Sequence, residues 1–105
     1  MLDKSKVREI AVQYADTVRK TLNPKSVILF GSYANGTPHE HSDIDIAIVF
    51  NNYNGDWLGT ASELVGLAWE VNSYIEPHML DERCDSSGFL EHIKENGEVI
   101  YNQIS

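Results

Sequence analysis

Residues 26 to 50 read Ser-Val-Ile-Leu-Phe-Gly-Ser-Tyr-Ala-Asn-Gly-Thr-Pro-His-Glu-His-Ser-Asp-Ile-Asp-Ile-Ala-Ile-Val-Phe. The stretch opens and closes with apolar runs, residues 27–30 and 44–50, each short and rich in β-branched side chains. That is the pattern of interior strands covered on both faces. Between the runs, Gly31 and Ser32 end the first strand, and a polar connection containing Gly36, Thr37 and Pro38 reads as turn. Asp43 and Asp45 stand at the mouth of the second strand. Two positions apart on a strand, they point to the same side, with attachment points roughly 6 to 7 Å apart. Like charges this close repel unless a cation neutralises them, so the pair reads either as a metal-sharing site or as a solvated strand end.

Working outward, Val7, Ile10, Ala11, Tyr14, Ala15, Val18 and Leu22 repeat at the spacing of one helical face over residues 3–22. Asn23-Pro24 ends this helix, because proline cannot donate to the helical ladder and biases its predecessor away from helical geometry. Beyond Phe50 comes a turn cluster in which Asp56 is placed to cap a second helix. In that helix Leu58, Ala61, Leu64, Val65 and Ala68 recur up to about residue 71. Residues 73–80 alternate, with Tyr74, Glu76 and His78 on one face and Ile75, Pro77 and Met79 on the other, which predicts a third strand. Pro77 marks it as an edge or a bulge. Phe89, Leu90 and Ile93 predict a short helix stopped at Asn96-Gly97, before a closing strand at residues 99–101. Tyr14, Trp57 and Trp69 are expected in the core.

A helix between the second and third strands implies a crossover and a parallel pair, whereas the first two strands can pair antiparallel across their loop. The expected fold is α/β (α+β), a small mixed β-sheet with flanking helices, in a single domain over residues 1–105. At 105 residues the chain has little left to build a separate substrate-binding lobe, so anything large that it acts on is expected to come from elsewhere.

Net charge is −8, from sixteen acids against eight lysines and arginines. Such a field repels phosphate backbones and anionic lipid, which argues against directly bound nucleic acid and against a membrane surface. The lone Cys84 cannot form an internal disulfide, and the opening Met1-Leu2-Asp3-Lys4 lacks the apolar core of a signal peptide. These features give the expectation of a cytoplasmic protein.

The candidate chemistry gathers at three places. Gly31-Ser32 after a strand offers backbone amides that approach an anion closely and a hydroxyl that donates, although alone it reads first as a turn. Asp43 and Asp45 supply two carboxylates. Glu76 supplies a third from a different strand, unless it is simply a solvent-facing strand residue. Three acids from neighbouring strands can hold two Mg²⁺ ions, the arrangement that serves in-line nucleotidyl transfer. His78 shares the face of Glu76 and reads either as an outer contact of that site or of a phosphate, or as a half-buried structural histidine. His39 and His41 lack a cysteine or third histidine nearby and read as solvated loop, and Cys84 lacks the surroundings of a nucleophile.

Taken together, Gly31-Ser32, ten intervening residues, Asp43-Ile44-Asp45 and the later Ile75-Glu76-Pro77-His78 resemble a known signature. It is that of the minimal nucleotidyltransferase domain of the DNA polymerase β superfamily, of the antitoxin type. The resemblance covers nearly the whole chain and implies the nucleotidyltransferase fold. It implies that Gly31 and Ser32 hold the β- and γ-phosphates of ATP, that Asp43 and Asp45 ligate two Mg²⁺ ions, and that Glu76 ligates the catalytic ion and accepts the proton of the attacking hydroxyl. It further implies a HEPN-domain toxin as partner, silenced by transfer of AMP to one of its tyrosines. Members often carry a basic residue at one or both positions occupied here by Tyr33 and Asn35, so an arginine-type contact to the triphosphate is missing. Two other functions remain compatible with these residues: a non-catalytic antitoxin or nucleotide-binding module acting by direct binding, and the catalytic subunit of a small-molecule nucleotidyltransferase.

Overall fold

The computed structural model describes residues 3–35, 43–85 and 87–103. The chain runs α1 (Lys4–Thr21), β1 (Ser26–Phe30), α2 (Ser32–Asn35), β2 (Ile44–Phe50), α3 (Trp57–Val71), β3 (Ile75–Asp81), a 3₁₀ turn (Glu82–Cys84), α4 (Phe89–Asn96) and β4 (Glu98–Asn102). The four strands form one mixed sheet in the order β3-β2-β1-β4. β1 pairs antiparallel with β2 and β4, while β2 and β3, joined through α3, run parallel. This is the crossover that the helix between those strands requires.

The two central strands are apolar throughout because both of their faces are covered. Val27, Leu29, Ile44, Ile46 and Ile48 enter the core shared with α1 and α3. Ile28, Ala47 and Val49 meet Leu90 and Ile93 of α4 on the opposite face. β3 lies at the sheet edge, where Pro77, which has no N–H to donate, does least harm to the ladder. Gly97 ends α4 and lets β4 begin against β1. A Cβ there would come within 2.7 Å of the carbonyl oxygens of both Ile93 and Leu29, so only glycine fits.

Asp3 caps α1 by accepting from the Lys6 amide at 2.8 Å, a contact worth about 1 kcal/mol. At the other end Asn23 takes up a left-handed φ of 55°, which turns the chain toward β1. The phenol of the buried Tyr14 donates to the Leu64 carbonyl at 2.8 Å and ties α1 to α3; burial pushes its pKa up.

Three expectations are corrected. The connection after β1 begins not as a loop but with the one-turn α2, whose Tyr33 is buried. Trp69, expected in the core, is 73% exposed, and Trp57 only leans edgewise on Tyr53 at 5.6 Å. Leu58 and Val65 of α3 likewise face outward, because that helix turns only Leu64 and Ala68 fully inward. A helix apolar on more than one side does not reveal by periodicity which side meets the sheet. Gly36, Thr37, Pro38, His39 and His41 lie outside the described residues. Among those described, no helix is long and apolar enough to cross a membrane.

The end of the sheet where β3 finishes is braced by charge. Glu82 pairs with Lys25 at 2.8 Å and Lys94 at 3.1 Å, and accepts from the Asn51 amide at 2.7 Å. These contacts, Lys25 foremost, hold the Glu82 carboxyl down at about 2 from an ordinary 4.5. A folded-state pKa below the unfolded one gives stability that is complete above the unfolded value and is lost as pH falls toward the folded one. Glu82→Gln is therefore expected to be less stable than wild type at pH 7, with the difference shrinking between about pH 4.5 and pH 2. Thermal melts of both proteins across that range check it.

Candidate active site

The strand register assembles the site. β1 and β2 place Phe30 opposite Asp45, and β2 and β3 place Asp45 opposite Glu76, so the three residues form one rung across three strands. The rung stands at the end of the sheet where β1 finishes and β2 and β3 begin. Gly31 follows Phe30 directly, and Asp43 precedes β2 by one residue. All five residues predicted from the sequence (Gly31, Ser32, Asp43, Asp45 and Glu76) therefore gather at one end of the sheet.

Asp45 and Glu76 alternate with residues buried under α1 and α3, so they emerge on the face that α4 partly covers. His78 emerges there too, with Nε2 3.2 Å from Asp45 Oδ1. Its ring is held edgewise against Phe30 at 5.0 Å, and Phe30 in turn meets Phe89 of α4 at 5.8 Å. Asp45, Glu76 and His78 each present one ligand atom, all within 4.8 Å of one another. The sequence put His78 on the face of Glu76 without linking it to Asp45; the parallel register makes that link. Asp43 is exposed and lies beside Glu76, within hydrogen-bonding reach.

Glu76 is exposed, yet its pKa is raised above 4.5. Partial loss of water is the largest cause, followed by the hydrogen bond with Asp43 and the negative charge of Asp45. Carboxylates that repel in this way suit a hard divalent cation, and their oxygen donors match what Mg²⁺ requires, with His78 as an additional nitrogen donor.

Gly31 is required for two reasons. Its φ of 81° lies in the left-handed region, and a Cβ built on it would overlap Asp45 Oδ2 and stand 3.1 Å from Asp45 Cγ. The chain thus passes directly over the Asp45 carboxylate before Ser32 opens α2. Tyr33 is 5% exposed and packs in the core, so a charged side chain would not be accommodated at that position.

A mixed sheet of this order with flanking helices, an acidic cluster and a glycine turn at one end matches the nucleotidyltransferase fold. The chain belongs to the polymerase β nucleotidyltransferase family, whose model matches residues 13–104. It is 35% identical over 79 residues to a Methanocaldococcus jannaschii protein named "Putative protein adenylyltransferase MJ0604", covering 73% of this chain and 78% of that one. A second protein of that organism, "Putative protein adenylyltransferase MJ1379", is 43% identical over 51 residues, which is 47% of this chain and about half (51%) of the relative. A Sulfolobus solfataricus structure named as a "putative nucleotidyltransferase" shares the fold with a TM-score of 0.70 and 21% identity, over 95% of this chain and 84% of that one. A crystal structure of a toxin-antitoxin with AMP-PNP matches with a TM-score of 0.64 and 27% identity, over 88% of this chain and 73% of that chain.

Two outcomes follow from this geometry. Gly31→Ala should cost about 1–3 kcal/mol of stability, and part of that cost should vanish in an Asp45→Ala background, as a double-mutant cycle of chemical denaturation would show. Without divalent cations, Glu76→Gln should be more stable than wild type at neutral pH. A raised folded pKa means that wild-type stability is complete at low pH and declines as pH rises through 4.5 toward the folded value. The two melting curves should converge in acid and separate above it.

Proposed function

We propose that this chain is an Mg²⁺-dependent protein adenylyltransferase and antitoxin, with residues 1–105 as its catalytic domain, that silences a HEPN-type ribonuclease toxin by moving AMP from ATP to one of its tyrosines. The observation that carries this reading is the convergence of Asp45 and Glu76 on one rung, with Asp43 beside them and Gly31 closed over Asp45. The names of the relatives supply the reaction class, and the toxin-antitoxin structure with AMP-PNP supplies the kind of partner and nucleotide.

In this mechanism the Gly31 backbone and the Ser32 hydroxyl receive the β- and γ-phosphates, where the missing side chain of glycine allows close approach. Asp43 and Asp45 would hold two Mg²⁺ ions, and Glu76 the catalytic one of them. Bound there, Mg²⁺ supplies neutralisation of phosphate charge. Glu76 takes the proton of the acceptor hydroxyl as its oxygen bonds to the α-phosphorus and the α–β phosphoanhydride bond breaks, releasing pyrophosphate. His78, 3.2 Å from Asp45, orients that carboxylate.

Incubation with α-labelled ATP, Mg²⁺ and the protein encoded by the neighbouring gene should raise that protein's intact mass by one or more adenylate units. Asp43→Asn, Asp45→Asn and Glu76→Gln should each lower transfer by at least about a hundredfold while remaining folded. In calorimetric titrations with ATP·Mg²⁺, Gly31→Val should weaken binding more than Ser32→Ala, which loses about 1 to 2 kcal/mol. Toxin neutralised without any mass change, and equally well by Glu76→Gln, would mean that direct binding is the function instead.

A further inference from the structure

We propose that the outer side of α3 is the surface on which the acceptor protein docks, and that its occupant is a basic, amphipathic protein face. The proposal rests on the adenylyltransferase reading and adds where and how the acceptor is held.

Leu58, Val65 and Trp69 are 80%, 46% and 73% exposed. They lie seven and eleven positions along α3, so at about 100° per residue they fall within an arc of roughly 40° and form a single stripe. Exposed apolar side chains lined up in this way mark interaction sites more often than scattered ones do. The stripe runs toward the catalytic end. Tyr74, 51% exposed, follows α3 in the chain, and its carbonyl accepts from the amide of Ile44 at 2.8 Å. Ile44 is the residue between Asp43 and Asp45. A partner seated along Leu58, Val65, Trp69 and Tyr74 lies at the β3 edge of the sheet, and its hydroxyl reaches Asp45 and Glu76 around that edge, since the two acids emerge on the opposite face.

Charge selects the occupant. Between Lys25 and Arg83 there is no lysine or arginine, while nine of the sixteen acids fall there. Two of them, Glu63 and Glu70, are exposed on α3 roughly 120 to 140° round the helix from the middle of the stripe, and neither has an ion-pair partner among the described residues. A second copy of this chain would bring like charge against like charge across a two-fold axis. A surface with apolar side chains at helical spacing, flanked by lysine or arginine, covers the stripe and meets the acids.

The test titrates the toxin encoded by the neighbouring gene against wild type, Leu58→Glu, Trp69→Glu, the double variant Glu63→Lys with Glu70→Lys, and a control, Val12→Glu, whose side chain is 42% exposed on α1. The three α3 variants should weaken the complex, and raise KM for the toxin, by about tenfold or more. The value of kcat at saturating toxin and the affinity for ATP·Mg²⁺ should be unchanged, and Val12→Glu should behave as wild type. Charge reversal should also flatten the salt dependence of association. Equal binding by all variants overturns the proposal, as does a dimer of this chain alone that Trp69→Glu splits in sedimentation. If wild type binds the toxin without modifying it, the adenylyltransferase reading fails, and the binding titration still decides the docking surface.

Discussion

The close passage of the Gly31 backbone over the Asp45 carboxylate is the contact on which the acidic end of the sheet depends. It needs a residue that tolerates left-handed backbone and has no Cβ, and it needs Asp45 held still beneath it. β2 meets the second need: Ile44 and Ile46 on either side of Asp45 are fully buried, so the aspartate cannot shift without unpacking the core. The rung then carries the constraint across to Glu76. Groups that would separate in water are kept together by apolar burial a few ångströms away.

The two ends of the sheet handle charge in opposite ways. Where β3 finishes, Glu82 is matched by Lys25, Lys94 and Asn51, and Asp81 accepts from the backbone amides of Asn52 and Tyr53. Where β3 begins, Asp43, Asp45 and Glu76 have, among the described residues, only His78 as a possible cation within the cluster. The braced end contributes stability, and the unbraced end holds repulsion that a bound cation relieves. Confining the unfavourable charges to one rim keeps their cost local.

Much of the fold was readable along the chain. The buried face of α1, the limits of β2, the Asp56 cap of α3, the edge position of Pro77 and the Gly97 stop all rest on signals within a few residues of each element. The short α2 left no such signal, since four residues carry no period. α3 misled for a different reason: Leu58, Val65 and Trp69 satisfy helical spacing as well as Leu64 and Ala68 do. Periodicity records that a helix has an apolar side, and says nothing of a second one.

By itself the sequence determined the strands, the donors available for a cation and the glycine that lets backbone approach a charge. It also placed Asp43 with Asp45, because a strand repeats every two residues whatever surrounds it. Only the tertiary structure decided that Asp45 shares its rung with Glu76, that His78 reaches Asp45, that Tyr33 is core and that Trp69 is surface. Those outcomes depend on register and on which neighbour covers each face. Register and facing are set by packing between segments tens of residues apart, which a local pattern does not encode.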